Sequence, residues 1–258
     1  MTTLQLIILS AVFLVCGFLI LQKHILGPFL LRAKSVTPRE TVYEEISDEK
    51  ARLLFPPMFF ETVSELNAIG FSLVCHLLAT KNPRTRMALS LFVNRDTKTM
   101  AFGGRVGLKN PVVNRTPVGF LEFNTQLKDG TEISTINTRT VHVFYDSPRM
   151  VVNRVGHLKD AASLFSVHQY IVEQKSSPAV LPEPGLEADF FRQQNRRTLA
   201  RQADLGFYFL DESGENYRLT WSGAFRSTWR LLWPLKQILL RRQDREGRRL
   251  AAAAGVKG

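Results

Sequence analysis

Residues 4–21 read LQLIILSAVFLVCGFLIL, a run with no charge in which only Gln5 and Ser10 are distinctly polar. At ~1.5 Å rise per residue the run covers about 27 Å, close to the hydrocarbon thickness of a bilayer. A buried core helix would show a polar face, and this one shows almost none. The predicted element is a transmembrane helix, with Leu4, Ile8, Phe13, Phe18 and Leu21 among its spanning residues. A cleaved signal peptide is the rival reading. It calls for a positive start, an apolar stretch of roughly 7–15 residues and a small-residue cleavage site. This chain starts MTT, runs longer, and continues into Gln22-Lys23-His24 with no A-x-A site. Phe13-Leu14-Val15 also lacks the small residue that lipidation at Cys16 would need. An uncleaved anchor is expected.

The flanks orient it. Lys23, Arg32, Lys34 and Arg39 all follow the run, whereas the α-amine alone precedes it. The positive-inside rule then places the N-terminus outside and the body in the cytoplasm of a single-pass protein of the cell (inner) membrane. The net charge of +11 has the same distribution: residues 1–40 carry +3, residues 221–258 carry +7, and the 180 residues between them carry +1. A nucleic-acid-binding domain spreads its excess over a body surface or stripe. Charge gathered at the two ends points instead to a membrane, and nucleic acid is not an expected partner.

Of the 258 residues, 45% are hydrophobic and 22% charged, which suits a folded chain and excludes a mainly disordered or collagen-like one. Two cysteines, Cys16 and Cys75, exclude a disulfide framework and a four-cysteine zinc site. The expected organisation is a transmembrane anchor over 1–22, a juxtamembrane linker over 23–50, an α+β domain over 51–220, and a basic amphipathic C-terminal helix with its tail over 221–258.

Within the body, Pro56-Pro57 opens a helix that Phe59, Val63, Leu66 and Ile69 continue at helical spacing to Gly70. Phe71–Thr80 reads as an inner strand and residues 86–93 as an alternating one, with a turn at 94–97. Asp129-Gly130 predicts a two-residue hairpin turn of the I′ kind. In that register Phe123 faces Ile136, and Glu122, Asn124, Gln126, Thr135 and Asn137 line the wet side of an antiparallel sheet of roughly five to seven strands. A three-residue loop with a bulge would flip one strand. Helices are expected over 160–174 and 186–203, and a last hairpin around Ser213-Gly214.

Residues 221–240 hold all three tryptophans beside Arg226, Arg230 and Lys236, with Pro234 set to bend the helix. Basic residues next to Trp, Phe and Leu suit a helix lying in the membrane interface. A packed amphipathic helix fits the same pattern. The surface-contact set is Arg226, Trp229, Arg230, Trp233, Lys236, Arg241, Arg242 and Arg245, with anionic lipid head groups as the matching partner. No protein partner is identified.

Catalytic signals are sparse. Gly103-Gly104 reads as a bulge or turn at a strand end, and no G-x-G-x-x-G, P-loop, H-E-x-x-H or G-x-S-x-G occurs. His168, on the apolar stripe of its helix, reads as a core histidine. No cofactor and no metal are expected. One carboxylate, Glu122, among neutral polar groups is a thin basis for acid–base chemistry. The row it belongs to is nonetheless the best surface for a small ligand. A deep pocket holding Glu122, Asn124 and Asn137 would favour ligand binding or catalysis, and a flat exposed sheet would not.

With these segments placed, the chain resembles a group of bacterial membrane-anchored proteins. The resembling pieces are Glu65–Phe71, the Asp129-Gly130-Thr131 hairpin with Asn137, Tyr217–Ala224, and Trp229 with Leu232–Lys236. The resemblance implies an N-terminal anchor and a cytoplasmic α+β domain, and it brings no catalytic residue. The function expected is a membrane-proximal binding or scaffolding role, non-catalytic, against the alternative of a membrane-tethered enzyme or small-ligand-binding domain.

Overall fold

A strand buried on both faces needs side chains that can be buried on both sides, and the His76–Ala79 half of Ser72–Ala79 (SLVCHLLA) supplies them. In the computed structural model it is an inner strand of an eight-stranded sheet. The structure describes residues 3–55, 57–80, 85–108 and 118–256. Pro56 and the side chain of Leu4 lie outside the described set. In chain order the described elements are α1 (Thr3–Lys34), β1 (Val36–Pro38), β2 (Tyr43–Ile46), α2 (Asp48–Leu54), α3 (Pro57–Ala68), β3 (Ser72–Ala79), β4 (Thr85–Asn94), β5 (Thr99–Leu108) and β6 (Val118–Leu127). There follow β7 (Glu132–Ile136), β8 (Met150–Arg154), α4 (Ala161–Glu173), β9 (Ala179–Val180), α5 (Glu187–Asp204), β10 (Tyr208–Leu210), β11 (Asn216–Leu219), α6 (Trp221–Leu231) and α7 (Leu235–Ala253). The class is mixed α+β. The chain forms two compact units, one of Met1–Arg39, Val141–Tyr145 and Leu199–Leu239, the other of Glu40–Thr140, Asp146–Thr198 and Leu240–Gly258.

The second unit holds the large sheet, ordered β2-β3-β4-β5-β6-β7-β8, with β9 also paired to β6. Its neighbours are antiparallel except β7 and β8, which run parallel. The expectation of an all-antiparallel sheet is corrected there. A parallel neighbour needs a long crossover, and the irregular stretch from Asn137 to Arg149 supplies it. On one face Phe71, Phe123 and Phe165 meet with ring centroids 5.0–5.3 Å apart, beside Leu66 and Leu164. The opposite face buries Leu89, Leu91, Met100 and Phe102 with Ala188 and Phe191, and Phe102 lies 4.8 Å from the Phe191 ring. Asp160 starts α4 by accepting the Ser163 amide at 2.7 Å.

The hairpin at Asp129-Gly130 forms in a different register from the one its dipeptide predicts. Phe123 pairs with Thr135 and Gln126 with Glu132. A I′ turn needs positive φ at both central residues, and here Gly130 alone adopts it, at 83°. The Leu127 amide donates to the Thr131 carbonyl at 2.8 Å, closing a three-residue loop. Gly103-Gly104 is also corrected: both residues sit inside β5 in unbroken pairing with β4 and β6. A Cβ at Gly103 would come 2.8 Å from the Phe59 ring, so the absent side chain is what seats that ring on the sheet.

The first unit is built on α1, which continues past the apolar run to Lys34 where a linker is expected from residue 23. Among the described residues α1 is one helix long and apolar enough to cross a membrane. Its C-terminal part is supported by α6. The Trp229 indole N–H donates to the His24 carbonyl at 3.2 Å, and Phe29 meets Trp221 edge-on at 4.9 Å. Arg32 lies 4.5 Å from the Trp221 ring. β1 joins the β10–β11 hairpin to make a three-stranded sheet ordered β1-β11-β10. Phe207, Tyr208, Tyr217, Leu219 and Ala224 form its core, with Val143–Tyr145 packed against them. Gln202 clamps Tyr145 by accepting its amide at 2.9 Å and donating to its carbonyl at 3.0 Å. Pro234 separates α6 from α7, as a residue without an amide donor should.

A Cβ at Gly27 would lie 2.7 Å from the Thr228 methyl, so Gly27→Val forces α6 away from α1. The expected cost is about 1–3 kcal/mol, seen in the full chain in detergent as a lower thermal midpoint with red-shifted tryptophan emission. An unchanged midpoint and spectrum would mean that α6 does not seat on Gly27.

Candidate functional site

The polar row predicted on the sheet divides between two faces. Glu122, Asn124 and Gln126 stay together on β6, but the one-residue register change places Thr135 opposite Phe123, on the other face. Thr135 is fully buried and its hydroxyl contacts His168 Nδ1 at 3.0 Å. Asn137 lies past the end of β7, where its Oδ1 accepts the Leu121 amide at 2.8 Å. The five residues therefore do not form one wet surface, because the loop that joins the strands is one residue longer than its dipeptide implies.

Glu122 and Asn124 acquire other neighbours. Asn124, only 5% exposed, donates to Ser134 Oγ at 2.9 Å and accepts from the Gln194 amide at 2.8 Å. Burial pushes the Glu122 carboxyl up, opposed by a hydrogen bond from Ser134 and by the charge of Arg154. Arg154 in turn donates to Thr138 Oγ1 at 3.1 Å and Thr140 Oγ1 at 2.9 Å. The Gln126 amide oxygen is buried without a hydrogen-bond partner among the described residues. The cluster joins strands β6, β7 and β8 to α5 through hydrogen bonds that a core needs to bury these groups.

Two histidines occupy the opposite face. His168 contacts Thr125 Oγ1 through Nε2 at 2.9 Å and Thr135 Oγ1 through Nδ1 at 3.0 Å, and Thr125 continues to Thr99 at 3.1 Å. Burial holds its pKa down to about 3. It is a neutral core residue that ties α4 to β6 and β7. His76 contacts Ser90 Oγ at 2.5 Å and Asp48 at 3.3 Å. A serine, a histidine and an aspartate in line invite comparison with a nucleophilic triad. The exposures are inverted for that chemistry, with Ser90 fully buried and the Asp48 side chain 78% exposed. A nucleophile must be reachable by substrate, so this trio serves to fasten α2 to the sheet. Sequence spacing could not have shown it, since His76 meets Ser90 only through strand register. Among the described residues no group of three or more His, Cys, Asp or Glu converges on a possible metal position.

The surface-contact set maps onto two parts of the chain. Arg226 is half-buried and donates from Nε and a terminal nitrogen to the Val143 and Phe144 carbonyls at 2.9–3.2 Å, so its charge holds that segment in place. Arg230 is half-buried as well. Trp229 and Lys236 are exposed, and Trp233 is 64% and Ile238 58% exposed. They belong to the unit that contains α1, whose Ile25, Leu26, Phe29 and Leu30 are exposed too. Trp221, which the surface set omits, joins them at 45%. Arg241, Arg242 and Arg245 are exposed on one side of α7 with Arg248 and Arg249, and the other side buries Gly247 and Ala251.

No protein-family model, curated protein or solved structure matches the chain.

His168 makes stability depend on pH. Its folded value lies below the ordinary 6.5, so the unfolded chain binds the proton first and stability falls as pH drops from 6.5 towards about 3. The slope from this residue is ~1.4 kcal/mol per pH unit. Denaturant unfolding across that window should show it in the wild type and lack it in His168→Gln, and equal slopes would refute the assignment.

Proposed function

We propose that the chain is a single-pass membrane protein with α1 as its anchor, its N-terminus outside and its body in the cytoplasm. The body acts in binding or scaffolding close to the bilayer and does no catalysis itself. The membrane is the cell (inner) membrane of a bacterium. The observation that carries this reading is the bond between Trp229 and the His24 carbonyl, which ties α6 to α1 within one turn of the end of the apolar run. It sets Trp229 where α1 would leave the hydrocarbon, with Trp221 against Phe29 further along the helix. Tryptophans belong at that level, with an apolar ring in lipid and an N–H in the headgroup region. The charge order supports the same reading, since Lys23, Arg32, Lys34 and Arg39 all follow the apolar run.

α6 runs back along the end of α1, and with the start of α7 it makes a second, amphipathic contact with the leaflet. The exposed arginines Arg241, Arg242 and Arg245 add attraction for anionic head groups, about 1 kcal/mol each near a charged surface. The alternative, a tethered enzyme or small-ligand-binding domain, draws on the buried Glu122 carboxyl and the unpartnered Gln126 oxygen. It has less support, because Asn124 between them already spends its amide on Ser134 and Gln194.

Orientation is checked by a reporter fused after Gly258, which should report a cytoplasmic environment; an exported reporter would overturn the topology. The leaflet contact is checked by hydrogen exchange of residues 221–249 in the full chain, held in neutral or anionic nanodiscs at low and high salt. Protection of the arginine segment should require anionic lipid, weaken with salt, and vanish in Arg241→Glu/Arg242→Glu/Arg245→Glu. Identical exchange in all four conditions would remove lipid head groups as its partner.

A further inference from the structure

Between α1 and α6 runs an apolar groove of about 470 Å³, lined by Gly17, Ile20, Leu21, His24, Ile25 and Phe29 on one side and by Phe225, Trp229 and Pro234 on the other. We infer that this groove holds one acyl chain of a phospholipid drawn from the surrounding bilayer. The inference rests on the proposed anchoring and adds a specific ligand to it.

The lining on α1 follows one helical stripe from Gly17 to Phe29, about 18 Å of helix axis. Gly17, Ile20 and Leu21 lie within the apolar run, so the upper part of the groove opens into hydrocarbon and the lower part reaches the level of the tryptophans. An occupant that enters from the bilayer and ends at the interface has the shape of a lipid tail.

The chemistry of the lining agrees. Its polar side chains keep little capacity: His24 Nδ1 pairs with the Ile20 carbonyl at 2.7 Å, and the Trp229 indole N–H donates to the His24 carbonyl, which leaves His24 Nε2. A peptide or sugar would find little to hydrogen-bond, whereas a hydrocarbon chain needs only packing. Gly17 lines the groove beside open space, since a Cβ placed there meets no atom within 4 Å. A larger residue at 17 would fill the groove without displacing α1 or α6.

The test uses the full chain extracted from membranes in mild detergent. Native mass spectrometry should find one retained phospholipid on the wild type. Gly17→Phe should lose it. Val12→Phe, which adds a ring on the opposite side of α1, should keep it. In nanodiscs made with brominated acyl chains, the single-tryptophan variant Trp221→Phe/Trp233→Phe should show strong quenching of Trp229 that Gly17→Phe relieves. A wild type without retained lipid, equal retention in the two phenylalanine variants, or quenching indifferent to Gly17→Phe would overturn the inference. So would a dimer broken by Gly17→Phe, since a second copy would then fill the groove. Carbonate washing separates the two failures. A chain that stays integrated with an empty groove refutes the lipid alone, and a chain that washes off refutes the anchoring beneath it.

Discussion

The approach of α6 to α1 governs the unit that contains both helices. Gly27 faces Thr228 at a separation that no Cβ could occupy, and one turn away the Trp229 indole reaches the His24 carbonyl. Ridge-and-groove packing usually keeps helices apart by the width of their side chains. Here a glycine removes that width at one point, and the aromatic rings of α6 close around α1 on either side of it. Pro28, next in sequence, is buried within α1. The three-stranded sheet depends on the same contact, since β1 follows α1 directly and pairs with the strand that leads into α6.

The large sheet solves a different problem. Both of its faces carry apolar rows, so both must be covered, and the polar residues inside those rows must be satisfied by one another. His168 between two threonines, His76 between Ser90 and Asp48, and Asn124 between Ser134 and Gln194 are three versions of that solution. Each places a side chain with two hydrogen-bonding atoms across a strand boundary. They resemble chemistry in composition and differ from it in exposure.

Periodic features could be read from the sequence, and long-range ones could not. The apolar run of α1, the helices α3, α4 and α5, and the β10–β11 hairpin stand within a residue or two of their predicted places, because each is set by spacing inside one segment. The register at Asp129 is off by one residue, since the dipeptide does not reveal that Asp129 keeps a negative φ while Gly130 alone turns left-handed. That single residue moves Thr135 from the expected ligand row into the core. The parallel pairing of β8 joins residues 18 positions apart, and the capture of Val143–Tyr145 by Gln202 and Arg226 joins residues 57 and 83 apart; no local pattern encodes either. Arg226 shows the same limit: its spacing suits a surface helix, and its partners are two backbone carbonyls.

These placements bear on what the proposed anchor is for. A tether that only holds a domain near a membrane needs no packing beyond its span, and a flexible linker would follow it. In this chain Leu31 packs on the core formed by Phe207, Tyr217 and Leu219, and the strand after α1 completes a sheet. Cutting at residue 40 would remove the helix on which α6 rests and expose Phe225 and Trp229 together. α1 is therefore part of a folded unit, and the side chains packed around its C-terminal end are presented in a fixed geometry. Fixed geometry matters for recognition, because a group that is already ordered loses less entropy on binding than one on a loose tether. On the proposed reading, what that geometry presents to the bilayer is a set of exposed tryptophans and an apolar groove, which makes the lipid itself the first partner of this protein.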